Sequence, residues 1–415
     1  MSTVGYYGDD FTGSVDVLLQ YRRAGLAGVL VTSAEALADT DAPVVGIAGV
    51  SRSLPTETLE SEVLPAFAAL DATKPRLLQY KVCSTADSSP RIGSIGRVIE
   101  LARARYGERP IVAAFAQPDF GRYTAFGHHF AREGDTVYRL DRQPTMRAHP
   151  VTPSTESDLR VHVGTQTALP VGGIDWTDYA DPDLVRLAVA SNGDAAVLVA
   201  DALTDAHLDV LADALLADTT HGPARFLVGS GGISAALARR LVGDDALPPL
   251  EQRADAARGP VLVLNGSVSA RTAEQIDRSG WDVIDAFDAG APATAAGAIA
   301  AGRSIVVTSA SGVRSVGPDE VAERLVAAGL AVLEATPPAR LLLCGGDTSG
   351  AVLRRLGYRR LSILAQPWGN VALLRATGDG VPPIELALKG GQMGTPDLFE
   401  RILEGTISPT DEGQR

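Results

Sequence analysis

Thr3-Val4-Gly5-Tyr6-Tyr7-Gly8-Asp9-Asp10-Phe11-Thr12-Gly13 carries a short β-prone run into a glycine. It then sets two carboxylates side by side and leads into Ser14-Val15-Asp16-Val17-Leu18-Leu19. The pattern predicts a strand, a tight turn and a helix. A strand-to-helix turn at the carboxyl end of a strand is where open α/β sheets bind ligands. Adjacent acids repel, so a metal, a substrate hydroxyl or a helix N-terminus is the usual reason for such a pair. The plainest reading is that Asp9 or Asp10 N-caps the helix.

Outward from this turn the same rhythm repeats. Gly28-Val29-Leu30-Val31-Thr32, Pro43 to Ala48, Arg76 to Lys81 and Ile111 to Phe115 predict strands, with helices over Thr56 to Ala69 and Gly96 to Tyr106 between them. Continuous apolar strands separated by helices predict a parallel sheet covered on both faces. Tyr123 to Ile174, rich in Pro, Thr, His and Arg, reads as an excursion from the sheet that lines a site or an interface. Strands resume at Ala195 to Val199 and Arg225 to Gly229. Val242 to Pro260, with prolines, charges and no apolar period, reads as a linker. A second α/β series follows through Val261 to Leu264, Ser304 to Thr308, Arg340 to Leu343 and Val371 to Leu374. The expected fold is α/β, with two α/β/α domains built on mainly parallel sheets. The expected boundaries are 1–245 and 258–415, joined by 246–257.

The 415 residues are 45% hydrophobic, 21% charged and only 5% aromatic, an ordinary globular balance in which small aliphatics supply the core. The net charge of −13, with no basic patch, argues against a nucleic acid or an anionic membrane as partner. Cys83 and Cys344 stand far apart and outside any CxxC pair, which argues against a zinc site or a disulfide framework. No run approaches the ~18 apolar residues of a membrane span, and no leader pattern opens the sequence, so the expected location is the cytoplasm.

Three small-residue turns in the second half could cradle an anion. These are Asn265-Gly266-Ser267-Val268-Ser269-Ala270, Cys344-Gly345-Gly346-Asp347-Thr348-Ser349-Gly350 and Lys389-Gly390-Gly391-Gln392-Met393-Gly394. Glycines let backbone amides approach a phosphate, Ser and Thr add donors, and Lys389 adds a point charge. None is a Walker A sequence, and each alone is also an ordinary tight connection. Gly229-Ser230-Gly231-Gly232 is similar but has no accompanying charge. In the first half, Arg52 and Lys81 follow strands and stand beside hydroxyl donors, which suits a small polyhydroxy carboxylate; each alone is also a common surface cation. His149 lies in the loop His149-Pro150-Val151-Thr152-Pro153, where a histidine more often packs or hydrogen-bonds than catalyses. Neighbours on a strand or helix, His128 and His129 point different ways and make no metal pair. Cys83 reads as a small, semi-buried residue rather than a nucleophile.

Taken in order, Gly8-Asp9-Asp10-Phe11-Thr12-Gly13, Lys81-Val82-Cys83-Ser84-Thr85, Gly121-Arg122-Tyr123-Thr124, His149 to Pro153, Gly266-Ser267-Val268-Ser269 and Gly345 to Gly350 resemble the four-carbon acid sugar kinase family. This family includes threonate, erythronate and 3-oxo-tetronate kinases, and the likeness runs from about residue 4 to about residue 400. The resemblance implies an N-terminal substrate-binding domain and a C-terminal nucleotide-binding domain, with ATP, Mg²⁺ and a sugar acid meeting in a cleft. It implies that Asp10, Arg52 and the segment Lys81, Cys83, Ser84 and Thr85 face the substrate, with His149 as a further candidate. Asp10, Asp9 and Lys81 become the catalytic candidates, with Asp10 favoured for the attacking hydroxyl. Ser267, Ser269, Gly345, Gly346, Asp347, Thr348, Gly391 and Gly394 are the candidates for ATP. No protein metal ligand is assigned, and the resemblance leaves room for a homodimer.

Many members have Glu at the position of Asp347, Asp at that of Cys83, an aromatic at that of Ala86, and SGNFG where this chain reads GGQMG. The changes around Cys83 and Ala86 touch the substrate pocket, so a relative with an altered acceptor, such as a 3-oxo-isoapionate kinase, is the alternative within the family. Two readings from other classes are an NAD-dependent sugar-acid dehydrogenase and a non-catalytic sugar-acid-binding protein. Asp9-Asp10 stands where a dinucleotide fingerprint would have to be, and a binding protein has no need of three phosphate-type turns.

Overall fold

The computed structural model describes residues 3–38, 40–190, 194–217, 224–310 and 316–405. It divides into two compact units: one runs to Val29 and again over Ser33–Leu247, the other takes Leu30–Thr32 and the chain from Pro248.

The first unit is built on a parallel sheet. Its strands lie in the order Val44–Ala48, Val4–Gly8, Leu77–Lys81, Arg225–Gly229, Ile111–Ala114, Val197–Ala200 and Val171–Ile174. The first six are buried almost end to end, as strands covered on both faces must be. Successive strand residues point to opposite faces, and Tyr6 and Tyr7 show which helices lie there. Tyr6 donates its hydroxyl to the Ser14 carbonyl of the helix Phe11–Arg23, and Tyr7 to Glu62 of the helix Leu59–Ala72. Although aromatics are scarce, Tyr7, Phe67, Tyr80, Tyr106 and Phe226 gather on the second face, with Tyr7 and Tyr80 stacked at 5.9 Å.

The chain passes from Val44–Ala48 over Val4–Gly8 to reach Leu77–Lys81, so Val4–Gly8 sits at a switch in strand order. Gly8 is level with both Ala48 and Lys81, and Lys81 with Gly229. Everything that follows these residues therefore emerges at one edge of the sheet. The excursion contains a small antiparallel sheet, Arg122–Ala125, His128–Glu133 and Thr136–Arg139. There His129 is buried against Thr124 while His128 bonds Ser157, the divergence expected of strand neighbours. Burial pushes His129 down to about 3, so it stays neutral.

The second unit has five parallel strands in the order Asp282–Asp285, Ile305–Thr308, Val261–Asn265, Arg340–Cys344 and Val381–Lys389. Two antiparallel strands, Val371–Gly378 and Tyr358–Trp368, continue it, and Leu30 and Val31 pair with the last. The end of the chain thus departs from the expected α/β rhythm. Prolines at 367, 382 and 383 hid two of its strands, because proline inside a run argues against a strand except near its start or at an edge. Asn265 is level with Thr308 and Cys344, and Cys344 with Lys389, so the three glycine turns share one edge. Among the described residues, no helix is long and apolar enough to cross a membrane.

Candidate active site

The opening turn of the first unit is set by backbone contacts. A Cβ on Gly8 would lie 1.9 Å from the Ser14 hydroxyl, so only glycine fits there. The Asp9 amide donates to the Lys81 carbonyl at 2.9 Å, and its carbonyl accepts from the Arg52 amide at 3.0 Å. Asp10 is the N-cap: its extended backbone leaves Oδ1 accepting the Gly13 amide at 3.0 Å. The capping reading therefore holds for one acid of the pair.

Arg52 joins both acids. Its Nε and Nη2 grip Asp9 at 3.1 and 2.6 Å, and Nη2 also reaches Asp10 Oδ1 at 2.8 Å. Asp9 is 2% and Asp10 7% exposed. Burial raises the Asp9 carboxyl to about 6; the Arg52 charge opposes that rise and the Asp10 charge adds to it. Burial works against the Arg52 charge, but the two carboxylates outweigh it and keep the guanidinium charged. Lys81 is 3% exposed, and its Nζ has no hydrogen-bond or ion-pair partner among the described residues. Gly13 leaves room for it, since a Cβ there would come within 2.9 Å of Nζ and 2.3 Å of Asp10 Oδ1. No described residue donates to Asp10 Oδ2. The Lys81 ammonium and Asp10 Oδ2 thus both lack a hydrogen-bond partner among the described residues, while the Lys81 charge acts on Asp9.

The segment after Lys81 flanks this cluster. Cys83 is half-buried with Sγ 3.0 Å from the Thr85 hydroxyl, and its thiol lies within the electrostatic reach of Arg52. Ser84 is half-buried beside it. Ala86 takes a left-handed φ of +51°, held by Ser88, and its carbonyl lies 3.0 Å from His162 Nε2. His149 Nδ1 accepts the Thr152 amide at 3.0 Å and stands 3.9 Å from Asp87 of the segment after Lys81. No hydrogen bond or ion pair joins it to Asp9, Asp10, Arg52 or Lys81.

In the second unit the three turns close on one another. Asn265 Oδ1 accepts the Ser267 amide at 2.9 Å. A Cβ on Gly266 would be 2.7 Å from Thr348, and one on Gly391 would be 2.8 Å from the Ser267 hydroxyl. Gly345 has φ +117°, a conformation closed to other residues, and opens the helix Gly346–Arg355. Ser269 caps the helix Ala270–Ser279, so two helix N-termini lie at this edge, an arrangement that favours anions. Ser267, Gly345, Gly346, Thr348 and Gly391 are thereby brought together. The Asp347 side chain lies outside the described residues. Gly394, at φ +82°, packs on Leu398 and Gln275. Lys389 is fully buried and donates to Thr272 Oγ1 at 2.7 Å. It was expected to offer its charge to a ligand. Thr272 and Gln275 had no signal in the sequence, being ordinary helix residues whose partners lie more than a hundred positions away.

A family model described as the sugar-binding N-terminal domain matches residues 4–237, and one described as the nucleotide-binding C-terminal domain matches 262–399. The chain belongs to the four-carbon acid sugar kinase family. It is 33% identical to a 3-oxo-isoapionate kinase of Paraburkholderia graminis, over 98% of this chain and 95% of that one. It is 32% identical to a 3-oxo-tetronate kinase of Methylobacterium radiotolerans, over 97% and 98%. A solved structure from Salmonella typhimurium LT2 shares the fold at TM-score 0.79 and 24% identity, over 97% of this chain and 98% of that one. The activity of this kinase is ATP-dependent phosphorylation of a short sugar acid. Family membership excludes the dehydrogenase and binding-protein readings.

Proposed function

We propose that Asp9, Asp10, Arg52 and Lys81 form the sugar-acid site and that the turns at Ser267, Gly345–Thr348 and Gly391 hold ATP. The observation that carries this is the largely buried Lys81 side chain, whose ammonium stands with Asp10 Oδ1 around Gly13 and makes no hydrogen bond or close ion pair among the described residues. Arg52 already hydrogen-bonds both aspartates, and Lys81 acts on Asp9 through its charge alone, so the Lys81 ammonium keeps its hydrogen-bond donors for an anionic ligand. The substrate carboxylate is that ligand. Asp10 then orients the acceptor hydroxyl and takes its proton as the new O–P bond forms and ADP leaves. Cys83, Ser84 and Thr85 line the acceptor. Among the described residues, no group of three His, Cys, Asp or Glu is placed to cage a metal. Mg²⁺, held mainly by phosphate oxygens and water, would neutralise phosphate charge.

The acceptor is a four-carbon or branched oxo sugar acid, of the kind named for the relatives: 3-oxo-isoapionate or 3-oxo-tetronate. The proposed setting is the cytoplasm, where ATP is supplied. Coupled detection of ADP across a panel of four- and five-carbon sugar acids and their 3-oxo forms should show turnover with at least one of these two. Absence of ADP release across the panel would sink the assignment. For the nucleotide side, Gly391→Ala sets a methyl against Ser267 and Ser269 and is expected to raise the KM for ATP about tenfold or more, with the sugar-acid KM unchanged. A KM for ATP at the wild-type value would remove Gly391 from the site.

A further inference from the structure

Lys389 has a conspicuous charge in a glycine turn, the usual sign of a residue that touches phosphate. Its surroundings assign it a different task. The side chain is fully buried, and no carboxylate pairs with it among the described residues. Its ammonium donates to Thr272 Oγ1 at 2.7 Å and to the Gly391 carbonyl at 3.3 Å. Thr272 passes its own hydrogen on to the same carbonyl at 3.0 Å, and the Ser269 hydroxyl makes a third, short bond to it. A carbonyl oxygen has two lone pairs, so three converging donors, one of them charged, saturate it and fix its direction.

That direction decides where the next amide points. No peptide bond among the described residues is cis, and in a planar trans peptide the N–H lies opposite the C=O. With the Gly391 carbonyl turned inward, the Gln392 N–H must point outward. Gln392 is exposed, and its amide has no acceptor among the described residues. The rest of the loop is tied down separately: Gln275 donates to the Met393 and Thr395 carbonyls at 3.1 and 2.9 Å. A Cβ on Gly391 would meet the Ser267 hydroxyl at 2.8 Å and Ser269 at 3.0 Å, so both serines lie against this glycine. A free, outward amide beside a serine hydroxyl and two helix N-termini suits an anionic oxygen.

We propose that Lys389 is a positioning residue that never touches the nucleotide: acting with Thr272 and Ser269, it locks the Gly391 carbonyl inward so that the Gln392 amide binds a phosphate of ATP. The proposal rests on the nucleotide reading of this unit. Burial also pulls the Lys389 ammonium below its ordinary range, in keeping with a charge kept from water and used through hydrogen bonds.

The test follows the Gln392 amide by ¹⁵N NMR of the full chain during titration with ADP, beside steady-state kinetics. In the wild type the Gln392 resonance should move strongly downfield at saturating ADP. Thr272→Val and Lys389→Met should weaken that shift and raise the KM for ATP about tenfold or more, with the sugar-acid KM unchanged. Thr272→Ser, which keeps the hydroxyl, should restore both. If Lys389→Met does not fold, the Thr272 pair carries the measurement. Shifts at Gly345 to Thr348 with Gln392 unmoved would overturn the inference and leave the nucleotide site standing, as would a wild-type KM for ATP in Thr272→Val. No shift in any of the three turns would overturn both.

Discussion

Asp10→Asn is expected to lower kcat about a hundredfold or more while leaving the melting temperature near that of the wild type. The two effects separate because Asp10 has two tasks on two oxygens. Oδ1 caps the helix Phe11–Arg23 through the Gly13 amide and accepts from Arg52. Asparagine caps a helix about as well as aspartate, so the helix start survives. What the variant loses is the negative charge and the proton-accepting Oδ2. Steady-state ADP release and a thermal melt on the same sample measure the pair of outcomes. Turnover within a few-fold of wild type would remove Asp10 as base. A large fall in melting temperature would mean that its charge holds Arg52 rather than serving the acceptor.

Arg52→Met should cost about 3–5 kcal/mol of stability at neutral pH and abolish turnover, because it strands two buried carboxylates beside each other. Methionine keeps most of the side-chain length, so lost packing is a minor part of the loss. The pH dependence gives the prediction its sign. In the native protein the Asp9 carboxyl is raised to about 6, well above its unfolded value. A raised carboxyl favours the folded state fully below its unfolded value, and that contribution disappears as pH climbs through the folded value. Arg52 is the main force holding Asp9 down, so its removal moves the folded value higher still. Destabilisation in Arg52→Met should therefore be large at pH 8 and shrink as pH falls through 6 towards 5. Urea unfolding at several pH values measures it. An equal loss at pH 5 and pH 8 would show that the carboxylates are not what Arg52 holds in place.

Much of the fold was legible because its signals are local. The strand Val4–Gly8 and the helix after it follow from an apolar run, a glycine and a capping acid within a dozen residues. The strands Val44–Ala48, Ile111–Ala114, Val261–Asn265 and Arg340–Cys344 are short aliphatic runs of the kind only a doubly covered sheet uses. The antiparallel end was not legible, since its prolines imitate loop signals. Of the candidate site, the turns were legible and the wiring was not. His149 is a candidate contact from the sequence, and the structure adds that its Nδ1 bonds Thr152, a link within its own loop that a lone histidine in a sequence does not announce.

By itself the sequence determined that this chain is a pair of α/β units whose acidic turn and glycine turns sit at strand ends. Short-range sterics and capping are written in neighbouring residues, and the ordered motifs carry the family likeness. Only the tertiary structure decided what those turns do to one another. Parallel register makes Gly8, Ala48 and Lys81 level, which delivers Arg52 to Asp9 across 43 positions and leaves the Lys81 ammonium without a hydrogen bond among the described residues. The same effect in the second unit brings Lys389, in sequence an apparent phosphate ligand, to the Thr272 hydroxyl across 117 positions. Whether a charge is satisfied depends on what surrounds it in space. For these residues that is settled by strand pairing, which no local stretch of sequence encodes.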